Sequence, residues 1–225
     1  MKQTLILFGL LIIIACQSNT NKIETHNIID YIKWDQDYNG KYREFQYKAD
    51  TTFIKLFAKQ ISTQINDSLW KFEFYWLNYD LLPVNRSVEK ITKWNNYELT
   101  DYYLYESDSL KRTIEAKANI LSKATYSISN PLPVEMQFKF KKDPALTMRY
   151  ITNVNYKFQH IDSIGKNGSD CLIYQTKSQI SLQYTDNRPS TTVFAETIYL
   201  YIKGKGLVQF EQSVSGSKVL YKLVE

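Results

Sequence analysis

Cysteine is almost missing from this chain, and histidine is just as scarce. Cys16 and Cys171 are the only cysteines and His26 and His160 the only histidines in 225 residues. Two cysteines allow at most one bridge, so a disulfide framework is excluded. Zinc motifs need Cys or His in closely spaced pairs, and none occurs. No P-loop, dinucleotide fingerprint or nucleophile elbow is present. Charge of one sign is also lacking, with a formal net charge of only +5. Nucleic-acid binding ordinarily shows as a concentrated basic stripe. The densest basic stretch, Lys139 to Lys142 around Phe140, alternates like a strand, so its lysines read as the wet side. No nucleic-acid partner and no cofactor are expected. Glycine and proline are few, at 7 and 5. Neither a low-complexity block nor an exact repeat interrupts the chain.

Aromatic residues are abundant: 18 Tyr, 11 Phe and 4 Trp. Such side chains suit pleated, half-buried surfaces, so the chain reads as mainly β. Leu69 to Trp76 alternates strongly, with Trp70, Phe72 and Phe74 on one face and Lys71 and Glu73 on the other. Strands are expected near 42–47, 134–141, 149–161 and 170–184. Residues 53–65 fit strand or helix. Tyr97–Glu106 and Leu110–Ala118 read as a hairpin across Ser107-Asp108-Ser109, with a helix over 109–121 as the rival. The last third gives a meander. Phe194, Ile198, Leu200 and Ile202 share a face, interrupted by Glu196. Turns follow at Gly204-Lys205-Gly206 and Ser215-Gly216-Ser217, and Val208, Phe210, Val219, Tyr221 and Leu223 continue the pattern. A short helix is expected within 24–34, with Thr25 as a possible cap and Ile28, Ile29 and Ile32 on one side. The fold class is therefore an antiparallel curved sheet, as an open barrel or a sandwich, with a short N-terminal helix.

The first residues have a different character. Lys2 precedes an uncharged run from Leu5 to Ala15, and Cys16 follows directly. That run is too short to span a bilayer as a helix, which needs about 20 apolar residues. It has the charged start, apolar core and small closing residue of a secretory signal. Ile13-Ile14-Ala15-Cys16 resembles the lipobox of bacterial lipoproteins, with Ile13 where Leu is commoner. The resemblance implies a signal peptide over 1–15 and a diacylglyceryl group on the Cys16 thiol. Residues 16–23 then form the lipidated cysteine and a polar tether, and 24–225 a single β-rich domain. Removing 15 residues leaves 225 − 15 = 210, and the charge falls to +4 with Lys2. Lipidation leaves Cys171 without an intrachain partner. In the apolar run Cys171-Leu172-Ile173-Tyr174 it reads as a buried, inert thiol. Surface-exported lipoproteins of the Bacteroidota tend to carry an acidic cluster after the cysteine. None follows here, which implies a cell-envelope protein on the outer membrane facing the periplasm.

The segment Thr197-Ile198-Tyr199-Leu200-Tyr201-Ile202-Lys203-Gly204-Lys205-Gly206-Leu207-Val208 resembles the C-terminal hairpin of uncharacterised bacterial lipoproteins of the Bacteroidota type. There, a strand with Tyr or Trp leads into Ala-Lys-Gly-Val-Gly-Leu-Val. Here Ile202 stands for the Ala and Lys205 for the Val. Asn39-Gly40-Lys41-Tyr42 and Asn167-Gly168-Ser169-Asp170-Cys171-Leu172 resemble further segments of such proteins, in the same order. The resemblance implies a curved antiparallel sheet but assigns no activity. A looser analogy is to lipoprotein carriers and receptors of the LolA/LolB type, which hold acyl chains in a half-open barrel.

Few side chains invite chemistry. Asp35, Asp37 and Asn39 before Gly40 match the opening of a calcium loop. Position twelve is Gln46 instead of a bidentate Glu, so a polar turn is expected and no metal. His160 alternates with Tyr156 and Phe158 and is expected near a strand end. Trp34, Trp70, Trp76 and Trp94 are the candidate ligand-contact aromatics, against the alternative that they fill a core. The expected function is non-enzymatic: a lipid-anchored binding or assembly domain held to the membrane through Cys16, with an envelope protein, glycan or lipid partner. A carrier for an apolar ligand and a hydrolase using His160 are the alternatives.

Overall fold

A computed structural model describes residues 26–49, 52–107, 113–122, 125–127, 131–162, 164 and 168–224. The apolar start, Cys16, the tether and Thr25 lie outside the described residues, as do most of the turns at 107–109 and 165–168. Among the described residues fourteen antiparallel strands form one sheet. They are β1 (Tyr42–Ala49), β2 (Thr52–Asn66), β3 (Leu69–Leu77), β4 (Pro83–Thr92), β5 (Asn96–Ser107), β6 (Thr113–Lys117) and β7 (Asn119–Ile120), followed by β8 (Thr125–Ser127), β9 (Val134–Lys139), β10 (Leu146–Ile161), β11 (Ser169–Tyr184), β12 (Thr191–Ile202), β13 (Gly206–Val214) and β14 (Ser217–Leu223). Their order is β6-β5-β4-β3-β2-β1-β14-β13-β12-β11-β10-β9-β7, with β8 pairing β5.

The sheet curls into a nearly closed barrel because one chain segment serves both of its edges. β6 pairs with β5, and two residues later β7 pairs with β9. Between them the Ala118 N–H donates to Tyr102 O at 2.8 Å, and beyond β7 the Leu121 N–H donates to Glu135 O at 2.9 Å. A closed sheet leaves few unpaired backbone groups to template aggregation. The expected hairpin over 97–118 is present, and its helical rival is not formed over the described residues. Residues 53–65 are strand.

Side chains alternate between lumen and exterior, so period 2 sets the lining. On β3 the faces are as expected from alternation: Phe72 and Phe74 are buried and Trp76 lines the interior, while Lys71 and Glu73 form a surface ion pair. On β12 the faces differ from the expected one. Tyr199, Tyr201 and Thr197 point to the lumen. Phe194 lies outside, 66% exposed, and Glu196 sits there beside Lys177 at 3.7 Å. Of the four register shifts among the described strands, two reset the alternation in the site-forming strands β5 and β13. β5 carries an extra residue, Thr100, opposite the Val88–Glu89 step, so Leu99 and Tyr102 both face inward. β13 carries an extra residue, Val208, so its core residues are Leu207 and Phe210.

The N-terminal segment plugs one end. The helix α1 (Ile29–Ile32) is a single turn. Ile28, Tyr31 and Trp34 are buried, as are Ile29 and Ile32. Burial of each such large side chain contributes about 1.5–3 kcal/mol. Two side chains of the barrel fasten the backbone. Asn95 accepts from the Ile28 N–H at 2.9 Å and donates to His26 O at 2.8 Å. Gln60 accepts from the Trp34 N–H at 2.8 Å and donates to Ile32 O at 2.9 Å. His26 stacks on Phe158 of β10 with ring centres 4.8 Å apart.

Candidate functional site

Above the plug the barrel is not filled. A cavity of about 220 Å³ remains, with Ile32 of the plug forming part of its wall. That is far more than the ~15 Å³ one water needs, and somewhat below the usual ~300–1,000 Å³ of small-molecule sites. Its walls come from β3, β4, β5, β9, β10, β11, β12 and β13.

Aromatic rings dominate one wall. Tyr156, Tyr174 and Tyr199 face one another on β10, β11 and β12 in direct register. Their centres are 4.9 and 5.4 Å apart, and the row continues through Phe210 to Tyr221 at 5.9 and 4.6 Å. Offset stacking of this kind adds about 0.5–1.5 kcal/mol per pair beyond burial. Beside it runs a row of hydroxyls: Thr176 and Thr197 are paired across β11 and β12, and Thr152 lies 3.0 Å from Ser178. The lining thus combines flat apolar faces with hydrogen-bonding groups.

One carboxyl faces this space. Glu89 of β4 lines the cavity and accepts from Ser87 Oγ at 2.8 Å. Burial raises its pKa above the ordinary 4.5, against the opposing hydrogen bonds from Ser87 and Tyr97. Burial likewise pushes the Tyr102 and Tyr201 phenols well above 10.0 and raises Tyr199, and all three feel the Glu89 carboxyl. An isolated carboxylate in such surroundings is costly, so the acid form is favoured.

The residues singled out by sequence do not converge on this cavity, except one. Trp76 lines it. Trp34 is the base of the plug, its indole against Gly206 and Phe74. Trp70 is half-buried next to Phe72, with Lys33 Nζ 4.2 Å from its ring centre. Trp94 is 64% exposed in the β4–β5 turn. Asp35 caps a short 3₁₀ turn by accepting from the Asp37 N–H at 3.4 Å. Asn39 instead exchanges hydrogen bonds with the Ser62 backbone, so these oxygens serve different partners. Among the described residues no group of three or more His, Cys, Asp or Glu is placed to hold a metal.

His160 stands at the end of β10, outside the cavity. Its Nδ1 meets Asp170 at 2.7 Å and its Nε2 lies 3.5 Å from Asp162. The bond to Asp170 raises the imidazole pKa and lowers that of Asp170. Both nitrogens thus face carboxylates. Cys171 is buried, its pKa raised by burial and by nearby Asp170, as befits an inert thiol. Sequence reasoning missed Glu89. Its strand alternates Asn85, Ser87, Glu89 with Arg86, Val88, Lys90, which marks neither face as buried.

No protein-family model matches the chain, and no curated protein matches it. Two solved structures are similar over most of its length. One is a candidate lipoprotein of Parabacteroides distasonis, 13% identical, with a TM-score of 0.45, covering 86% of this chain and 99% of that one. The other is a candidate exported protein of Bacteroides fragilis with a YmcC-like fold, 10% identical, with a TM-score of 0.44, covering 86% of this chain and 97% of that one.

Proposed function

We propose that this protein is a lipid-anchored envelope protein that binds a small amphipathic molecule inside its barrel. The observation that carries this reading is the unfilled lumen, with its aromatic wall, hydroxyl row and single carboxyl. A barrel serving only as a scaffold gains from filling its interior, since packed cores reach crystal-like density. The size and polarity of the space suit one ring or short chain bearing a polar group. Bundled acyl chains of the LolA/LolB type would need a larger and drier lumen. Anchorage rests on the apolar run and lipobox-like ending at Cys16.

Native mass spectrometry of protein purified from its own envelope tests the binding role. A bound small molecule, lost in a Thr176→Phe variant that fills the lumen, is the expected result. Both proteins appearing only at the bare masses of their own chains would overturn it. For the anchor, labelled palmitate should enter the wild type and not Cys16→Ala.

A further inference from the structure

We propose that the lumen selects an organic cation, an amine or ammonium group, with Glu89 as its counter-ion and the surrounding rings as its walls. This rests on the lumenal binding role proposed above and names the ligand class. Three independent features of the cavity point to it.

The first is charge. Among the described residues Glu89 is the only acidic side chain in the cavity wall, and no Lys, Arg or His lines it. Glu89 is half-buried in this wall, and a carboxylate drawn partly out of water is stabilised by a cationic partner. The hydrogen bonds that Glu89 makes among the described residues come from hydroxyls, those of Ser87 and Tyr97. The second is the wall itself. Tyr156, Tyr174 and Tyr199 form a stacked row, and Trp76 and Tyr102 complete an aromatic surround. Ring faces attract ammonium groups, most strongly where water is excluded. The third is the backbone. The bulge at Thr100 lies directly opposite Glu89, where the Thr100 hydroxyl donates to Val88 O at 3.0 Å. Bulges re-aim side chains, and this one brings Leu99 and Tyr102 to the lumen beside the carboxyl.

The groups facing Glu89 make its protonation readable. Tyr97 and Tyr102 approach from β5, and Tyr199 and Tyr201 from β12. All are phenols, neutral through the physiological range. Glu89, whose pKa burial raises above the ordinary 4.5, is the carboxylic acid among them. Where Glu89 is protonated an incoming ammonium displaces that proton, so cation binding strengthens as pH rises through the raised pKa of Glu89.

The test is calorimetric titration of the full-length chain in detergent with 2-phenylethylamine and with 2-phenylethanol, which differs only in its head group. Binding of the amine about ten-fold or more tighter at pH 8 is expected, from the strength of charge-assisted hydrogen bonds. The preference should shrink at pH 5 and vanish in Glu89→Gln. Equal binding of both probes, unchanged by pH, would overturn the cation proposal and leave the lumenal role standing. If neither probe binds, both fall. Should Glu89→Gln fail to fold, the wild-type amine-to-alcohol ratio across pH decides alone.

Discussion

A Cβ placed on Gly206 would lie 2.3 Å from Trp34 Cδ1, so the indole of the plug rests directly on the backbone of β13. Gly206 also has φ +79°, a conformation that L side chains rarely adopt. The glycine therefore joins turn and plug: it ends the β12–β13 turn and leaves room for the ring that closes the barrel. Gly206→Ala should destabilise by about 2–4 kcal/mol, the sum of left-handed strain and overpacking. Gly204→Ala has the same backbone strain and no neighbour within 4 Å, so it should cost less. Urea midpoints of the two variants check the difference.

Gln60 makes a second prediction. Its amide satisfies one N–H and one C=O of the plug, both in buried surroundings. Gln60→Leu keeps the volume but orphans both groups. A loss of about 2–4 kcal/mol is expected. Amide exchange should rise most at Trp34, whose N–H loses its acceptor. Exchange unchanged there would show that the plug is held by burial alone.

Glu89 links stability to pH. Its folded pKa is raised above 4.5, so above that value the folded chain holds more protons than the unfolded one. Stability is then lost as pH rises from the ordinary carboxyl value towards the raised folded one. Glu89→Gln removes this loss while retaining a carbonyl for Ser87. The variant should match the wild type near pH 4 and exceed it at pH 8, by urea titration at each pH.

His160 has its own window. Its folded pKa is raised above 6.5 by Asp170, so its ion pair contributes fully below 6.5 and fades as pH rises through the folded value. Asp170 is lowered below 3.8, and its share is lost as pH falls through that lowered value. His160→Gln should therefore differ from wild type most between these limits and progressively less as pH rises through the raised imidazole pKa or falls through the lowered Asp170 one. The pair is exposed, so the effect is small.

The strands were legible in the sequence because alternation of rings and charges is strong on β3 and through the final meander. Which face turns inward was less so. On β12 the aliphatic residues Ile198 and Leu200 are on the outside, while Thr197, Tyr199 and Tyr201 line the lumen. A lumen that keeps open space tolerates hydroxyls, so hydrophobicity alone cannot orient such a strand. The extra residues Thr100 and Val208 shift the parity midway along β5 and β13, and nothing in the local composition announces them. Of the four tryptophans named together, Trp76 alone lines the lumen, where it falls in phase with Phe72 and Phe74 on β3. Glu89 was missed because a lone acid between Val88 and Lys90 reads as solvated until its strand is placed in the sheet.

The central claim is that the lumen is a binding site, and backbone NMR during titration with 2-phenylethylamine tests it most directly. Shifts should concentrate at Glu89, Tyr174, Thr197 and Tyr199, and should disappear in Thr176→Phe. Shifts confined to the exposed rings of Trp94, Tyr79 or Phe194, and persisting in that variant, would contradict the account.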